Sequence, residues 1–273
     1  MPPSPASDMI AAGRTDVGRV RSRNEDNFAL VPQAGLVVVC DGMGGHAGGD
    51  IASRTAATTI ADSIANADPQ ALAGAIDSVS DDTERTLSGP TAVDPGLQLA
   101  IAAVRVAVRD ANRRIVGLNQ ERGFAEGRGM GTTVVGCLRV AGTDKLVVFH
   151  AGDSRLYRLR GGGLRQLTRD HSLYQIWLDN GGQGQAPQKN IIVRALGTTE
   201  LMEPEITVHA LEPGDTYMLC SDGLTGMVTD PTIAEVLGQP GADADSLCGR
   251  LIQLANEQGG VDNTTVVVAR FGA

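Results

Sequence analysis

The stretch Leu36-Val-Val-Val-Cys-Asp-Gly42 is a short run of apolar, mostly β-branched residues that ends on an aspartate and a glycine. Its length and composition predict a buried strand, and the Asp-Gly pair predicts the turn that ends it. A similar run at residues 217–223 also ends on Asp-Gly, and Asp262-Asn263 directly precedes the apolar run at 264–268. Each acidic pair alone is typical of a turn. Three of them at strand ends can also converge in the folded chain.

The rest of the chain separates into helical and strand-rich parts. Between residues 97 and 118, apolar side chains recur at alternating steps of four and three, which predicts one long amphipathic helix. From Gly131 onward, short strands alternate with turn signals, among them strands predicted at 145–151, 155–160 and 216–220. Two further helices are predicted near Asp230 and over 245–257. This pattern favours an α+β fold with antiparallel sheets and outer helices. We expect a disordered tail at 1–8 and a single domain over 9–273.

Composition restricts the classes of function. The chain has 273 residues, of which 42% are apolar, and its net charge is −9. These values exclude a disordered chain and argue against nucleic acid as a partner, because polyanion-binding surfaces are usually basic. No segment has the roughly 18 to 20 apolar residues of a membrane helix, so we expect no membrane partner. The four cysteines lack Cys-x-x-Cys spacing, which favours buried, reduced thiols and a cytoplasmic protein.

The acidic strand ends suggest a metal site built from oxygen ligands. The four histidines show no metal-binding spacing, which argues against zinc. Aspartate oxygens, a backbone carbonyl and water suit Mg²⁺ or Mn²⁺. Gly42 and Gly223 would let the backbone approach such a ligand closely. Two ions about 3.5 to 4 Å apart can activate a water and orient a phosphate, which predicts metal-assisted phosphoester hydrolysis.

Three arginines precede the acidic pair Glu25-Asp26. Arg19, Arg21 and Arg23 alternate, so in a strand they would share one face beside the carboxylates. One of them could bind two phosphate oxygens through its guanidinium group. A solvated basic edge strand explains the same pattern without any ligand.

Six short motifs occur in order and together resemble the metal-dependent protein phosphatases of the 2C type, in their bacterial form. The resemblance extends from about residue 9 to 270. The motifs are Arg21-Ser-Arg-Asn-Glu-Asp-Asn27, Asp41-Gly-Met-Gly-Gly-His46, Gly129-Met-Gly-Thr-Thr133, Ala151-Gly-Asp-Ser-Arg155, Cys220-Ser-Asp-Gly-Leu224 and Val261-Asp-Asn-Thr264.

The resemblance implies a fold and an activity. The expected fold is a central sandwich of two antiparallel β-sheets flanked by pairs of helices. The expected activity is hydrolysis of phosphoserine and phosphothreonine in proteins, by direct attack of a water that bridges two Mn²⁺ or Mg²⁺ ions. It implies phosphorylated proteins as partners, among them a bacterial Ser/Thr kinase and its substrates. We expect a monomer.

The resemblance also assigns roles by position. Asp41 would bridge both metals, the Gly42 carbonyl would bind one of them, and Asp222 and Asp262 would bind the other. Three further residues would serve catalysis: Glu25 and Asp26 by holding metal-bound waters, and Arg21 by binding the phosphate. In the Gly-Asp-Ser-Arg motif, Asp153 and Ser154 are interpreted as structural support near the site. Residues 171–194 match the variable flap.

Two departures from the family pattern concern a third metal and a leaving-group acid. Arg128 and Gly226 occupy positions where many members have carboxylates that support a third ion, so we expect that site to be weak or absent. Met43 occupies the position where some relatives have a histidine that protonates the leaving group. His46 lies nearby, either as a substitute acid or as part of a turn.

Two other functions fit parts of the sequence. A catalytically silent relative could bind phosphoproteins or a kinase as a regulatory module, although Asp41, Asp222 and Asp262 are all present. The pattern Gly42-x-Gly44-x-x-Ala47 loosely matches a dinucleotide-binding fingerprint. Two features count against a dinucleotide-binding site: the Asp41 carboxylate would lie against the pyrophosphate, and no second strand is predicted before Pro90.

Overall fold

The run that begins at Leu36 forms strand β3 (Leu36–Met43), which lies between two apolar layers. Val38 and Cys40 pack into one layer, whereas Val37 and Val39 pack into the other. This is the period-two pattern of a strand that is buried on both faces. The strand predicted from the sequence is confirmed, and it continues through Asp41 to Met43.

The structure, a computed structural model, describes residues 9–44, 48–68 and 94–272. The tail expected at 1–8 and the candidate acid His46 lie outside these ranges. The domain limits 9–273 stay a prediction.

The strands form two antiparallel sheets. The first consists of β1 (Met9–Asp16), β7 (Arg155–Arg160), β8 (Gly163–Gln166), β10 (Thr216–Cys220) and β11 (Thr264–Phe271), in the spatial order β1-β11-β10-β7-β8. The second consists of β2 (Asp26–Val31), β3, β5 (Val134–Arg139), β6 (Lys145–Ala151) and β9 (Glu205–Ala210), in the order β2-β3-β5-β6-β9. The short β4 (Gly131–Thr132) pairs with the end of β3.

Helices cover the outer faces of both sheets. In chain order they are α1 (Gly49–Ala65), α2 (Pro95–Glu121), α3 (Leu173–Asp179), α4 (Asp222–Thr225), α5 (Asp230–Leu237) and α6 (Ala244–Glu257). The pair α1 and α2 packs on the second sheet, and the pair α5 and α6 packs on the first. Apolar side chains from both sheets fill the space between them.

The predicted fold class is confirmed: two antiparallel sheets form a sandwich with a pair of helices on each side. The predicted long helix is α2, whose apolar stripe is buried against the second sheet. All named strand pairs are antiparallel, which excludes the parallel βαβ unit of a dinucleotide-binding fold. In the described ranges, no helix is long and apolar enough to cross a membrane.

The strand expected at Arg19, Arg21 and Arg23 is wrong. Residues 17–25 form turns and bends between β1 and β2. Asn263 fixes this loop, because its amide donates hydrogen bonds to the carbonyls of Val17, at 3.0 Å, and Arg23, at 2.8 Å. The arginines therefore do not share a face through strand alternation.

Candidate metal centre

Four strand ends bring carboxylates together at one end of the sandwich. Asp26 begins β2 and lies opposite Asp41 of β3 in the antiparallel register. Asp222 directly follows β10 at the start of α4, and Asp262 precedes β11. Neighbouring strands in each sheet thus contribute one acidic residue each, as their sequence positions predict.

Asp26 is the most deeply buried of these carboxylates, with 4% of its surface exposed. Its Oδ2 accepts hydrogen bonds from the hydroxyls of Ser221 and Thr265, both at 2.7 Å. Its Oδ1 is buried and has no hydrogen-bond partner among the described residues. Burial raises the pKa of Asp26 to about 6, against the effect of the two hydroxyls. Two hydroxyl groups therefore hold Oδ2 of Asp26, whereas Oδ1 has no partner from the described protein atoms.

Asp41 lies at the centre of the acidic group. Removal from water raises its pKa well above the ordinary value, and the carboxylates of Asp26 and Asp222 raise it further. The backbone around Asp41 is held rigidly: its N–H donates to Thr133 Oγ1 at 3.0 Å, and its carbonyl accepts from Thr132 Oγ1 at 2.9 Å. The side chain is thus aimed by β4 and the residue that follows it.

Asp222 and Asp262 complete the acidic group. The pKa of Asp222 is raised by burial and by the charge of Asp262. The carboxyl group of Asp41 acts against this rise. The charge of Asp222 in turn raises the pKa of Asp41, so the two groups are close neighbours. Arg21 Nη2 donates to Asp262 Oδ2 at 2.7 Å, so the fold places Arg21 at the site even though it is not in a strand.

Glu25 lies at the rim. Its backbone N–H donates to Asn263 Oδ1 at 2.8 Å, which ties the loop before β2 to the start of β11. Burial raises the pKa of Glu25, and the nearby carboxylate of Asp50 adds to the rise. The Glu25 carbonyl accepts from Ser53 Oγ at 2.6 Å, so α1 helps to position it.

Two glycines allow the backbones to meet here. A Cβ atom at Gly42 would collide with the carbonyl oxygens of Gly49 and Glu25. A Cβ atom at Gly223 would collide with the carbonyl of Asn263. Both glycines therefore allow a close approach of backbone to backbone, which brings strand end, helix start and loop into one cluster. The expected approach to a ligand stays a prediction.

The carboxylates together fit a pair of hard cations. Several negative groups converge, their pKa values are raised, and only the Arg21 guanidinium forms an ion pair with one of the four. Such a cluster is unfavourable unless protons or cations neutralise it. Oxygen ligands of this kind are those that Mg²⁺ and Mn²⁺ prefer. The unpartnered oxygen of Asp26 is a further sign of a missing ligand.

Comparison with known proteins agrees with this geometry. The sequence pattern of the protein phosphatase 2C family matches residues 18–260, most of the chain. The chain belongs to the protein phosphatase 2C family.

Three relatives of this family member are informative. The serine/threonine protein phosphatase PstP of Mycobacterium tuberculosis is 38% identical over 263 residues, which cover 94% of this chain and 44% of that protein. The chain therefore spans less than half the length of that relative. The serine/threonine phosphatase stp of Listeria monocytogenes is 34% identical over 268 residues, 95% of both chains. The crystal structure of the catalytic domain of PstP in complex with two manganese ions has a TM-score of 0.72 and 36% identity, covering 97% of this chain and 99% of that one.

In this phosphatase 2C chain, Asp153 is more than a structural support. It is 6% exposed, and its Oδ1 is buried without a hydrogen-bond partner among the described residues. Burial raises the pKa of Asp153 to about 7, and the charge of Asp222 adds to the effect. Its neighbour Ser154 does support the site, because its hydroxyl bonds Thr133 Oγ1 at 2.7 Å. The sequence motif indicated this position without showing that its carboxylate joins the acidic group.

The expected weakness of a third metal site stays a prediction. Gly226 is exposed just after α4 and has no side chain to offer, as the sequence indicates. Positions 128 and 226 are not the only possible sources of a ligand, however, because Asp153 supplies a further carboxylate near Asp222 and Asp41. Met43, at the end of β3, has a thioether side chain and cannot act as a leaving-group acid.

The fold of this phosphatase 2C chain also brings together His150, His171 and Glu205, whose ligand atoms lie within 4.8 Å of one another. Spacing in the sequence gave no sign of this group. Gly152 N–H donates to His171 Nδ1 at 3.2 Å, so the neutral ring has its proton on Nε2 and donates to Glu205 Oε2 at 3.1 Å. His150 Nε2 lies 2.8 Å from the Arg169 carbonyl and donates to it. In this tautomer His171 has no lone pair for a metal, and the group joins the flap to the sheet.

Proposed function

We propose that this chain is a metal-dependent phosphatase that hydrolyses phosphoserine and phosphothreonine esters in proteins. The observation that carries the proposal is the convergence of Asp26, Asp41, Asp222 and Asp262 at one end of the sandwich, with a buried Asp26 oxygen left unpartnered. Membership of the phosphatase 2C family and the names of the relatives support it.

The acidic group and one backbone carbonyl are the proposed metal ligands. Asp41, the Gly42 carbonyl, Asp222 and Asp262 would hold the ions, with Asp41 as the ligand that the two sites would share. Two bound Mn²⁺ or Mg²⁺ ions would lower the pKa of a water and neutralise phosphate oxygens. The two manganese ions in the related PstP structure support manganese as one of the metals.

Protein side chains at the rim would orient water and substrate. Asp26 can accept a hydrogen bond from water at Oδ1, because Ser221 and Thr265 already hold its Oδ2. Glu25 supplies a second acceptor, held on a loop that Asn263 fixes. Arg21 uses Nη2 for Asp262 and keeps its other N–H groups for phosphate oxygens.

Water, and not a protein side chain, is the proposed nucleophile. Cys40 and Cys220 adjoin the site in sequence, but both are fully buried and face apolar layers. Burial raises the pKa of both thiols, which removes the reactive thiolate. Ser221 is also fully buried and is bonded to Asp26. These observations support direct attack by water without a covalent intermediate.

The proposed partners are phosphorylated proteins, and a bacterial Ser/Thr kinase with its substrates is the expected counterpart by family analogy. We further propose that the protein acts as a monomer in the cytoplasm. The four cysteines, all unpaired and buried, support a reducing compartment.

The test is phosphate release from a phosphothreonine peptide with Mn²⁺, with chelator, and with the Asp222→Asn variant. We expect release only with metal. The variant should lose at least about a hundredfold, since even the outer partners of metal ligands cost ten- to hundredfold when mutated. Asp245→Asn, which changes an exposed carboxylate on α6, is the matched control and should retain full activity.

Two outcomes would overturn the proposal. Release that persists in chelator, or that survives in Asp222→Asn, would contradict the metal mechanism. Absence of release from folded wild-type protein in either metal would favour the silent phosphoprotein-binding module instead.

A further inference from the structure

A group of basic side chains lies where the two sheets end side by side. Strand β8 is the edge of the first sheet and β9 is the edge of the second. Arg160 of β7 connects the two, because its Nη2 donates to the carbonyl of Ala210 at the end of β9 at 2.8 Å. We call the gap lined by Arg158, Arg165 and His209, with Arg160 at one end, the cationic slot.

The strand registers place these side chains on facing surfaces. On β7, Leu156 packs between the sheets while Tyr157 packs outward, so Arg158 faces inward like Leu156. Arg165 lies directly opposite Arg158 in the β7–β8 pairing and shares that face. His209 of β9 lies opposite Leu146, which packs between the sheets, so His209 shares that inner face of the second sheet. Burial and the neighbouring arginines lower the pKa of His209, so the arginines supply the charge of the slot.

The acids nearest the slot pair with Arg160 and leave Arg158 and Arg165 without a carboxylate partner among the described residues. Two like charges directly opposite each other on antiparallel strands repel. Arg158 Nε is buried and has no hydrogen-bond partner among the described residues. The nearby acids do not serve it: Asp215 binds Arg160 through two hydrogen bonds of 2.6 and 2.7 Å, and Glu212 also pairs with Arg160. The chain as a whole carries −9, so a general basic excess does not explain this group.

We propose that the cationic slot binds a second phosphoryl group of the substrate, so that protein segments phosphorylated at two positions are preferred. Guanidinium groups match phosphate oxygens in geometry and charge. Arg158 of the slot lies five residues after Asp153, which corresponds to about 16 Å of extended chain along β7. The two phosphates would therefore be separated by about five residues or more of extended peptide. This inference rests on the proposed function, because it names a substrate class for the same active site.

The test measures peptide binding by fluorescence anisotropy on the Mn²⁺-loaded protein. The probes carry non-hydrolysable difluoromethylene phosphonates in place of phosphate, at one position or at two positions separated by three, five, seven or nine residues. Wild-type protein is expected to bind the best two-phosphonate peptide about tenfold more tightly than the one-phosphonate peptide. Added salt should reduce this preference, since it depends on charge.

The Arg158→Gln/Arg165→Gln double variant should lose the preference. Arg114→Gln, which removes an exposed arginine of α2, is the control and should keep it. A peptide with glutamate in place of the second phosphonate separates phosphate from plain negative charge and should gain less. Preference retained by the double variant, or an equal gain from glutamate, would overturn the proposal.

Hydrolysis of p-nitrophenyl phosphate separates failure of the slot from failure of the enzyme. The double variant should hydrolyse this small substrate as the wild type does, which also shows that it is folded. Normal hydrolysis with no preference in the wild type would refute the slot and leave the proposed function intact. A preference without any hydrolysis would refute the function and leave the slot.

Discussion

Buried aspartates in this molecule have one of two opposite electrostatic surroundings. Asp215, before β10, has only 3% of its side chain exposed, and it is held by Arg160 through two hydrogen bonds and by the Tyr217 hydroxyl at 2.8 Å. Its pKa is lowered by these partners despite burial. Asp26 is buried to a similar degree and has no ion pair with a cation among the described residues, and its pKa is raised.

The difference separates structure from function. The arginine of a paired carboxylate offsets the cost of burial and holds the local fold in place. An unpaired carboxylate contributes no such stability and has a free oxygen. Asp26 and Asp153 both have such an oxygen, and both belong to the acidic group at the strand ends. Carboxylates that lack a cationic partner therefore indicate the candidate metal centre more clearly than the presence of acidic residues alone.

The largest expected effect is on metal-dependent stability. Manganese at a hundred times its dissociation constant should stabilise the wild type by about 2.7 kcal/mol. Asp41→Asn should lose most of this gain, and in chelator it should be at least as stable as the wild type, because one repelling carboxylate is gone. Urea unfolding with and without Mn²⁺ measures both quantities. A variant that keeps the full manganese effect would contradict the assignment of Asp41.

The second expected effect is a loss of stability, whereas Asp41→Asn in chelator should lose none. Asp215→Asn removes one partner of a paired carboxylate and should destabilise the protein by about 2 kcal/mol, less than for a fully buried pair because Arg160 is partly exposed. Activity per folded molecule should not change. Asp245→Asn is the control, because its pair with Arg14 is exposed and should not matter measurably. Equal unfolding midpoints for the two variants would refute the contrast.

The smallest expected effect, taken per pH unit, is a change in how stability depends on pH in chelator. The folded pKa of Asp153 is about 7, above its unfolded value, so the folded state binds more protons between about pH 4 and 7. Stability should therefore fall as pH rises through this window, by less than about 1.4 kcal/mol per unit for one group.

Asp153→Asn should flatten that slope. Asp215 acts in the reverse sense, because its lowered pKa makes its stabilisation disappear only as pH falls below about 4. Urea midpoints measured from pH 4 to 7.5 test the assignment. An unchanged slope in Asp153→Asn would show that another group titrates.

Sequence patterns predicted much of the scaffold. The predicted strands at 145–151, 155–160 and 216–220 agree with β6, β7 and β10 to the residue, because turn residues and β-branched runs mark their ends. The strand expected through Arg19 was wrong, because Asn263, far away in sequence, holds that loop in turns. Local alternation has no information about such a distant partner.

Several site features had no local signal. Thr133 positions Asp41 through its hydroxyl, and Ser221 with Thr265 orients Asp26, although only pairing between strands brings them together. The group of His150, His171 and Glu205 joins residues whose positions in the sequence show no metal-binding pattern. Such contacts depend on sheet order, which the sequence does not state.

The sequence by itself determined which residues could do the chemistry. It placed Asp41, Asp222 and Asp262 at the ends of strands, because an apolar run must stop where a charge cannot be buried cheaply. Tertiary structure alone decided which carboxylates would be left without a cation. Arg160 lies beside Asp215, whereas no arginine of the described ranges forms an ion pair with Asp26, because antiparallel registers set neighbours across the sheets. The charge of a side chain is set by its own residue type, whereas the presence of an opposite charge beside it depends on the whole fold.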